Sequence, residues 1–394
     1  MPETNLLIPG PTPLPPEVVR AMDRQMTNHR GPVLAAILRE VLDGLKDVFR
    51  TGHDMVPLTA SGTGGLEASV TNFLSPGDRV LSVCNGRFSE RYAEIAERFG
   101  ARVDRVTAEW GRPVPLEAIA DRFRADARRE YRAVFVTQSE TSTGVHNDVR
   151  AIRGVLGDHP ALLMVDGVSS IGAIPLETDA WGVDVAITGS QKALMSPPGM
   201  AFLAVSERAW AASEQAKFPR FYFDLRVAHK EASKASPATP FTPAIPVIYA
   251  VQAALKLIHA EGLQQVFERH RRMARMVRAG VRGMGLSTLV EDAYAVDTVT
   301  AVRMPEGVDA KAVAAHAREK YDVLFGEGMG KLERSVIRIG HLGYARQEWL
   351  LAGLETLGRS LNELGHPVPT DAGLRAARQV LEAPAVGSQA PKAR

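Results

Sequence analysis

Cysteine is almost missing from this sequence. Cys84 stands alone among 394 residues, so neither an intramolecular disulfide framework nor an all-cysteine metal cluster can form, and a reducing compartment is expected. Its apolar context, LSVCNG, reads as a small core residue near a strand end. No uninterrupted apolar run of about 18 residues occurs, which excludes an ordinary transmembrane helix. The first residues, MPETNLLIPGPTPLPPE, lack a basic segment followed by an apolar run and do not read as a secretory signal, so the expected location is the cytoplasm. A strong charge of either sign is also missing. Lys and Arg number 47 against 45 Asp and Glu, the net charge is +2, and the basic residues are scattered, so neither nucleic acid nor a membrane surface is an expected partner. Histidines and carboxylates form no cluster with metal-ligand spacing, and no metal site is expected.

What is present is a globular composition, 45% hydrophobic and 23% charged, in a chain long enough for two to three domains at roughly 150 residues each. Short β-branched runs alternate with amphipathic stretches from Pro57 to Val205, the order of βα units. Strands are expected at Val56–Ala60, Arg79–Cys84, Val103–Thr107, Ala133–Thr137, Leu162–Asp166, Val183–Thr188 and Ala201–Val205, with helices at Leu66–Phe73 and through Tyr92 to Phe99. Several of these strands are apolar on both faces, which places them in a sheet covered by helices on both sides. After Pro246 come helices at Val247–His259 and Leu263–Met284, then strands at Thr298–Met304 and Val336–Ile339, the pattern of a smaller α+β domain. The division that follows is an N-terminal arm (1–19), a large domain (20–262), a small C-terminal domain (263–378) and a disordered tail (379–394). Between Phe218 and Pro246 five prolines and the aromatic cluster FYF exclude a helix or a central strand and leave a long functional or interface loop.

Three features carry chemistry. SGTGG, Ser61 to Gly65, lies between a strand and a helix, where small residues and free helix amides hold an anion; a tight turn is the alternative. Asp166 ends the strand LLMVD at the edge of an α/β sheet where ligands bind, although an Asp there also caps helices. Lys192, in GSQKALMSPPG, falls between two buried strands, where a desolvated amine forms a Schiff base with a carbonyl; most lysines are simply solvated. Their order matters more than any one of them. Pyridoxal phosphate needs a helix N-terminus for its phosphate, an Asp for its pyridine nitrogen and a lysine for its aldehyde, and here the Lys follows the Asp by 26 residues.

At this point the sequence resembles the class V aminotransferases of pyridoxal-phosphate fold type I, and within them the alanine/serine–glyoxylate (serine–pyruvate) group. PGPTPLP (9–15), NHRGP (28–32), SGTGG, ETSTGV (140–145), VDGVSS (165–170), GSQKALMSPPG (189–199) and RIGHLG (338–343) look like that group's landmarks in its order. The resemblance implies a large, mostly parallel seven-stranded sheet domain, a small α+β domain and a homodimer with shared active sites. It also implies pyridoxal 5′-phosphate as cofactor, and a ping-pong transfer from serine or alanine to glyoxylate or pyruvate.

Carried over by residue, Lys192 is similar to the Schiff-base lysine that also moves the proton between substrate Cα and cofactor C4′. Asp166 resembles the partner of the ring nitrogen, Val168 and Phe88 the groups on the two ring faces, and Thr141 the hydroxyl residue near the phenolic oxygen. Ser61, Gly62, Thr63 and Gln191 look like phosphate ligands, with Thr242 reaching from the second subunit; Phe241 stands where some relatives carry a Tyr. Arg338 resembles the arginine that grips the substrate α-carboxylate. His29 and Arg30 lie near the entrance in such folds, or simply in a capped loop; His341 and Tyr344 are equally open. Competing readings are aspartate or another donor, a lyase such as a cysteine desulfurase, for which Cys84 lies in the wrong place, and a cofactor-binding protein without catalysis, which has no reason to retain both Lys192 and Arg338.

Overall fold

The computed structural model describes residues 4–383. Along the chain the strands are β1 (Asn5–Leu7), β2 (Asp54–Leu58), β3 (Arg79–Cys84), β4 (Arg102–Thr107), β5 (Tyr131–Thr137), β6 (Ser139–Glu140), β7 (Val145–His146), β8 (Leu162–Asp166), β9 (Val185–Gly189), β10 (Ala201–Val205), β11 (Ser287–Thr288), β12 (Val299–Arg303), β13 (Val323–Glu327) and β14 (Val336–Gly340). Seven of them form one sheet in the order β2-β10-β9-β8-β5-β3-β4, parallel except for β10, which runs antiparallel to both neighbours.

Alternation along the central strands explains their apolar runs. In β5 and β8, Val134, Val136, Leu163 and Val165 pack into one core with the helices Pro32–Phe49 and Ile245–Glu261. Their alternate neighbours Ala133, Phe135, Leu162 and Met164 pack into another, with the helices Gly62–Phe73 and Arg87–Phe99. Both faces are therefore buried, and a polar residue is tolerated where a strand ends. Phe135 stacks on Tyr92 with centroids 4.0 Å apart, and the Tyr92 hydroxyl meets Ser69 Oγ at 2.7 Å, tying the two helices on that face together.

A second sheet, β1-β13-β14-β12-β11, is covered by the helices Leu263–Gly283, Ala310–Tyr321, Gln347–Glu363 and Thr370–Glu382. Its first strand comes from the N-terminal arm: β1 lies parallel to β13, with Leu7 opposite Phe325. Among the described residues no helix is long and apolar enough to cross a membrane.

Three expectations need correction. Part of the proline-rich segment is helical after all, at Leu225–Ala232. The prolines lie outside DLRVAHKEA, and Asp224 caps it by accepting from the amides of Arg226 (3.0 Å) and Val227 (3.2 Å). Residues 379–382, expected in a disordered tail, form the end of the helix Thr370–Glu382, whose Leu374 and Ala377 are buried. The rest of that tail from 384 onward lies outside the described residues. The helix expected from Leu66 begins at Gly62, so SGTGG is its first turn and not a loop before it.

Candidate active site

The carboxyl ends of β5, β8 and β9 meet in register, Thr137 beside Asp166 and Asp166 beside Ile187. They open onto a cavity of about 540 Å³, closed from the opposite side by Phe325, Glu327 and Arg338 of the second sheet and by Ile8 to Pro11 of the arm. Of the residues singled out in the sequence, Ser61, Gly62, Thr63, Phe88, Thr141, Asp166, Val168, Gln191, Lys192 and Arg338 line this cavity. Thr242 does not; it is exposed on the surface segment where Phe241 stacks on Tyr222, and Arg30 contacts the carbonyl of Pro240 there. His29, His341 and Tyr344 also lie off the cavity wall. His341 is buried between Thr300 Oγ1 and the Asp297 carbonyl, a structural position. Cys84 is a buried thiol whose pKa burial pushes up to about 12, so it is inert core.

One end of the cavity is built for an anion. Ser61 precedes the helix Gly62–Phe73 without capping it through its side chain, so the first amides keep their hydrogens for a ligand. A Cβ on Gly62 would lie 2.6 Å from Val168, so only glycine allows the backbone this close. Gln191 Oε1 is buried there without a hydrogen-bond partner.

Asp166 lies deeper. Its Oδ1 accepts from the Val168 amide (3.0 Å) and its Oδ2 from Thr137 Oγ1 (3.3 Å), and burial raises its pKa to about 6. A cationic ring nitrogen placed opposite would favour the charged form again. Lys192 follows β9 in a turn anchored by the Ser190 hydroxyl on the Pro197 carbonyl. Its Nζ donates to the Pro9 carbonyl at 2.5 Å, and burial, then the charge of Arg338, lowers its pKa to about 8. Arg338, 8% exposed in mid-β14, donates from Nε to the Glu327 carbonyl (2.8 Å) and from Nη1 to the Thr141 carbonyl (3.0 Å). Two carbonyls thus fix the plane of the guanidinium, and Nη2 has no hydrogen-bond partner among the described residues.

The sequence reading missed two side chains here. Arg91 lines the cavity, 5.0 Å above the Phe88 ring and 3.4 Å from Thr63 Oγ1, and it has no carboxylate partner among the described residues. Helical spacing of three from Phe88 was a usable signal. The other is Glu140, at the head of ETSTGV, whose fully buried carboxylate accepts from the Phe88 amide.

A helix start with free amides, a strand-end carboxylate, a desolvated lysine and a buried arginine share one cavity, a set whose chemistry fits pyridoxal phosphate. The model of the aminotransferase class-V family matches residues 4–328, and the chain belongs to this family. It is 42% identical to the L-aspartate–glyoxylate aminotransferase of Paracoccus denitrificans, with 96% of each chain covered. It is 37% identical to the serine–glyoxylate aminotransferase of Arabidopsis thaliana, covering 96% of this chain and 95% of that one. Among solved structures, the alanine–glyoxylate aminotransferase of Nostoc sp. superposes with a TM-score of 0.87 at 31% identity, covering 92% of this chain and 96% of that one.

Proposed function

We propose that this enzyme moves the amino group of a small L-amino acid, serine or alanine, to glyoxylate or pyruvate in two half-reactions. The observation that carries it is that Lys192 and Arg338 line one cavity, close enough for the guanidinium to act on the amine, so that a carboxylate clamp and an amine are available to the same 2-amino acid. Glyoxylate as acceptor is supported by the relatives, since an aspartate–, a serine– and an alanine–glyoxylate aminotransferase share it. Pyridoxal phosphate, when bound, supplies the aldehyde that takes up the amino group and the ring that withdraws charge from the substrate Cα.

In this reading the amides of Gly62 and Thr63, the hydroxyls of Ser61 and Thr63 and the amide of Gln191 would hold the phosphate. Asp166 would serve the ring nitrogen, Phe88 and Val168 would enclose the ring, and Thr141 would serve its phenolic oxygen. Lys192, kept partly neutral at physiological pH, takes the Cα proton and returns it. Arg338 fixes the α-carboxylate, so the substrate Cα is held beside Lys192 in both half-reactions, to lose its proton in the first and to receive one in the second. The exposed Thr242, with the neighbouring aromatic surface where Phe221 is 82% exposed, supports a homodimer in which Thr242 reaches the partner's phosphate.

A second donor reading has its own observation. Arg91 is a cation in the cavity without a carboxylate partner among the described residues, suited to the second carboxylate of aspartate. The visible spectrum of the cofactor-loaded protein, recorded with L-serine, L-alanine and L-aspartate in the absence of keto acid, decides between them. Discharge by serine or alanine and recovery with glyoxylate is the expected result; discharge by aspartate alone transfers the assignment to the second reading.

A further inference from the structure

Beyond the residues that face the ligands lies Glu140, which no role assigned so far uses. Helix Arg87–Phe99 starts at Gly86, a residue with no side chain to cap it, yet its first three amides are all satisfied. The Arg87 amide donates to Ser142 Oγ (2.9 Å), while those of Phe88 (3.1 Å) and Ser89 (2.8 Å) donate to the Glu140 carboxylate. Ser142 Oγ (2.5 Å) and Ser89 Oγ (2.9 Å) donate to it as well. The cap is therefore provided in trans by the turn between β6 and β7. It fits so closely that a Cβ on Gly86 would lie 2.3 Å from Glu140 Cδ.

We propose that Glu140 is a positioning residue that locks the ring-stacking face of the cofactor site to the carboxylate clamp. The coupling is short and continuous. On one side the carboxylate fixes the backbone of Phe88; on the other its own neighbour, Thr141, gives the carbonyl that orients Arg338. Its negative charge sits at a helix N-terminus and balances the buried guanidinium of Arg338.

Charge, not shape alone, is required. Both carboxylate oxygens face backbone N–H groups, Oε2 those of Phe88 and Ser89, Oε1 that of Ser142 at 3.2 Å. An amide in either orientation would aim an NH₂ at one of these donors. The inference rests on the site reading above, in which Phe88 and Arg338 contact cofactor and substrate.

Glu140→Gln tests it with two readouts. The dissociation constant of pyridoxal phosphate from the apoprotein should rise about tenfold, and KM for donor and acceptor should rise together by a similar factor with kcat changed less. A purely structural role predicts a lower Tm with cofactor affinity and KM unmoved; that result overturns the proposal. Should Glu140→Gln fail to fold, Ser142→Ala removes one bond to the carboxylate and the acceptor of the Arg87 amide, and keeps the charge of Glu140. It should give a smaller parallel rise, and unchanged constants there would equally overturn it. The cofactor titration does not depend on which donor is used, so it decides on Glu140 even if the wild-type protein turns over none of the three amino acids.

Discussion

Lys192 Nζ donates to the carbonyl oxygen of Pro9, 183 residues away in sequence, at 2.5 Å. The arm that contributes Pro9 enters the second sheet as β1, so this amine is held by a segment belonging to the opposite wall of the cavity. A carbonyl is a neutral acceptor: it orients the amine without stabilising its charge as a carboxylate would. Lys192→Ala should abolish transamination and the long-wavelength absorbance of bound cofactor, with far-ultraviolet circular dichroism unchanged. Retained turnover would falsify its role.

The lowered pKa of Lys192, about 8, has a direct consequence for reconstitution. Capture of the cofactor aldehyde requires the neutral amine, so the rate of cofactor loading into apoprotein should rise with pH and level off above about 8. Removing the positive charge of Arg338, which contributes to the lowering, should move that inflection upward. A rate that is flat between pH 6 and 9 would disprove the assignment.

Asp166 reads out in stability. Its folded pKa is raised to about 6 from an ordinary 3.8, so the folded apoprotein binds the extra proton. The stability this gives is complete below pH 3.8 and is lost as pH rises through 6, a cost of about 3 kcal/mol at neutral pH. Asp166→Asn should therefore stabilise the apoprotein at pH 7 by up to about 3 kcal/mol in urea unfolding while abolishing catalysis. Lower stability in the variant would mean that the carboxylate is a structural cap.

Arg338→Ala should raise KM for amino and keto acids alike by roughly 10- to 150-fold, the worth of a charge-assisted hydrogen bond of about 1.5–3 kcal/mol. Arg338→Lys should recover little, because a lysine cannot bond the carbonyls of Glu327 and Thr141 and a carboxylate together. Full recovery would place the carboxylate elsewhere.

For Arg91 the comparison is between donors. Arg91→Gln should leave alanine and serine within about threefold and, if aspartate is a donor, lower kcat/KM for it by roughly tenfold or more. An equal loss for all donors, together with weaker cofactor binding, would assign Arg91 to the phosphate through its neighbour Thr63.

Much of the site was legible because its chemistry is concentrated at the ends of strands whose apolar runs announce them. LLMVD and VAITG each end in Asp or Gly after four buried positions, and that change marks the ligand edge of an α/β sheet. SGTGG was legible for the same reason, although its glycines proved to be the first helical turn. The five prolines across Phe218–Pro246 lie toward its ends, and the proline-free stretch between Pro219 and Pro237 has room for an eight-residue helix with an Asp cap.

The sequence by itself determined the element order, the sheet with two buried faces and the residue types a pyridoxal-phosphate site needs, since period, turn chemistry and local composition are written within a few residues of each other. Tertiary structure alone decided which distant groups complete each function. Pro9 holds Lys192, Glu140 and Ser142 cap the helix of Phe88, and the carbonyls of Thr141 and Glu327 aim Arg338. Three of these partners act through backbone carbonyls, which every residue type carries, so no sequence pattern could have named them.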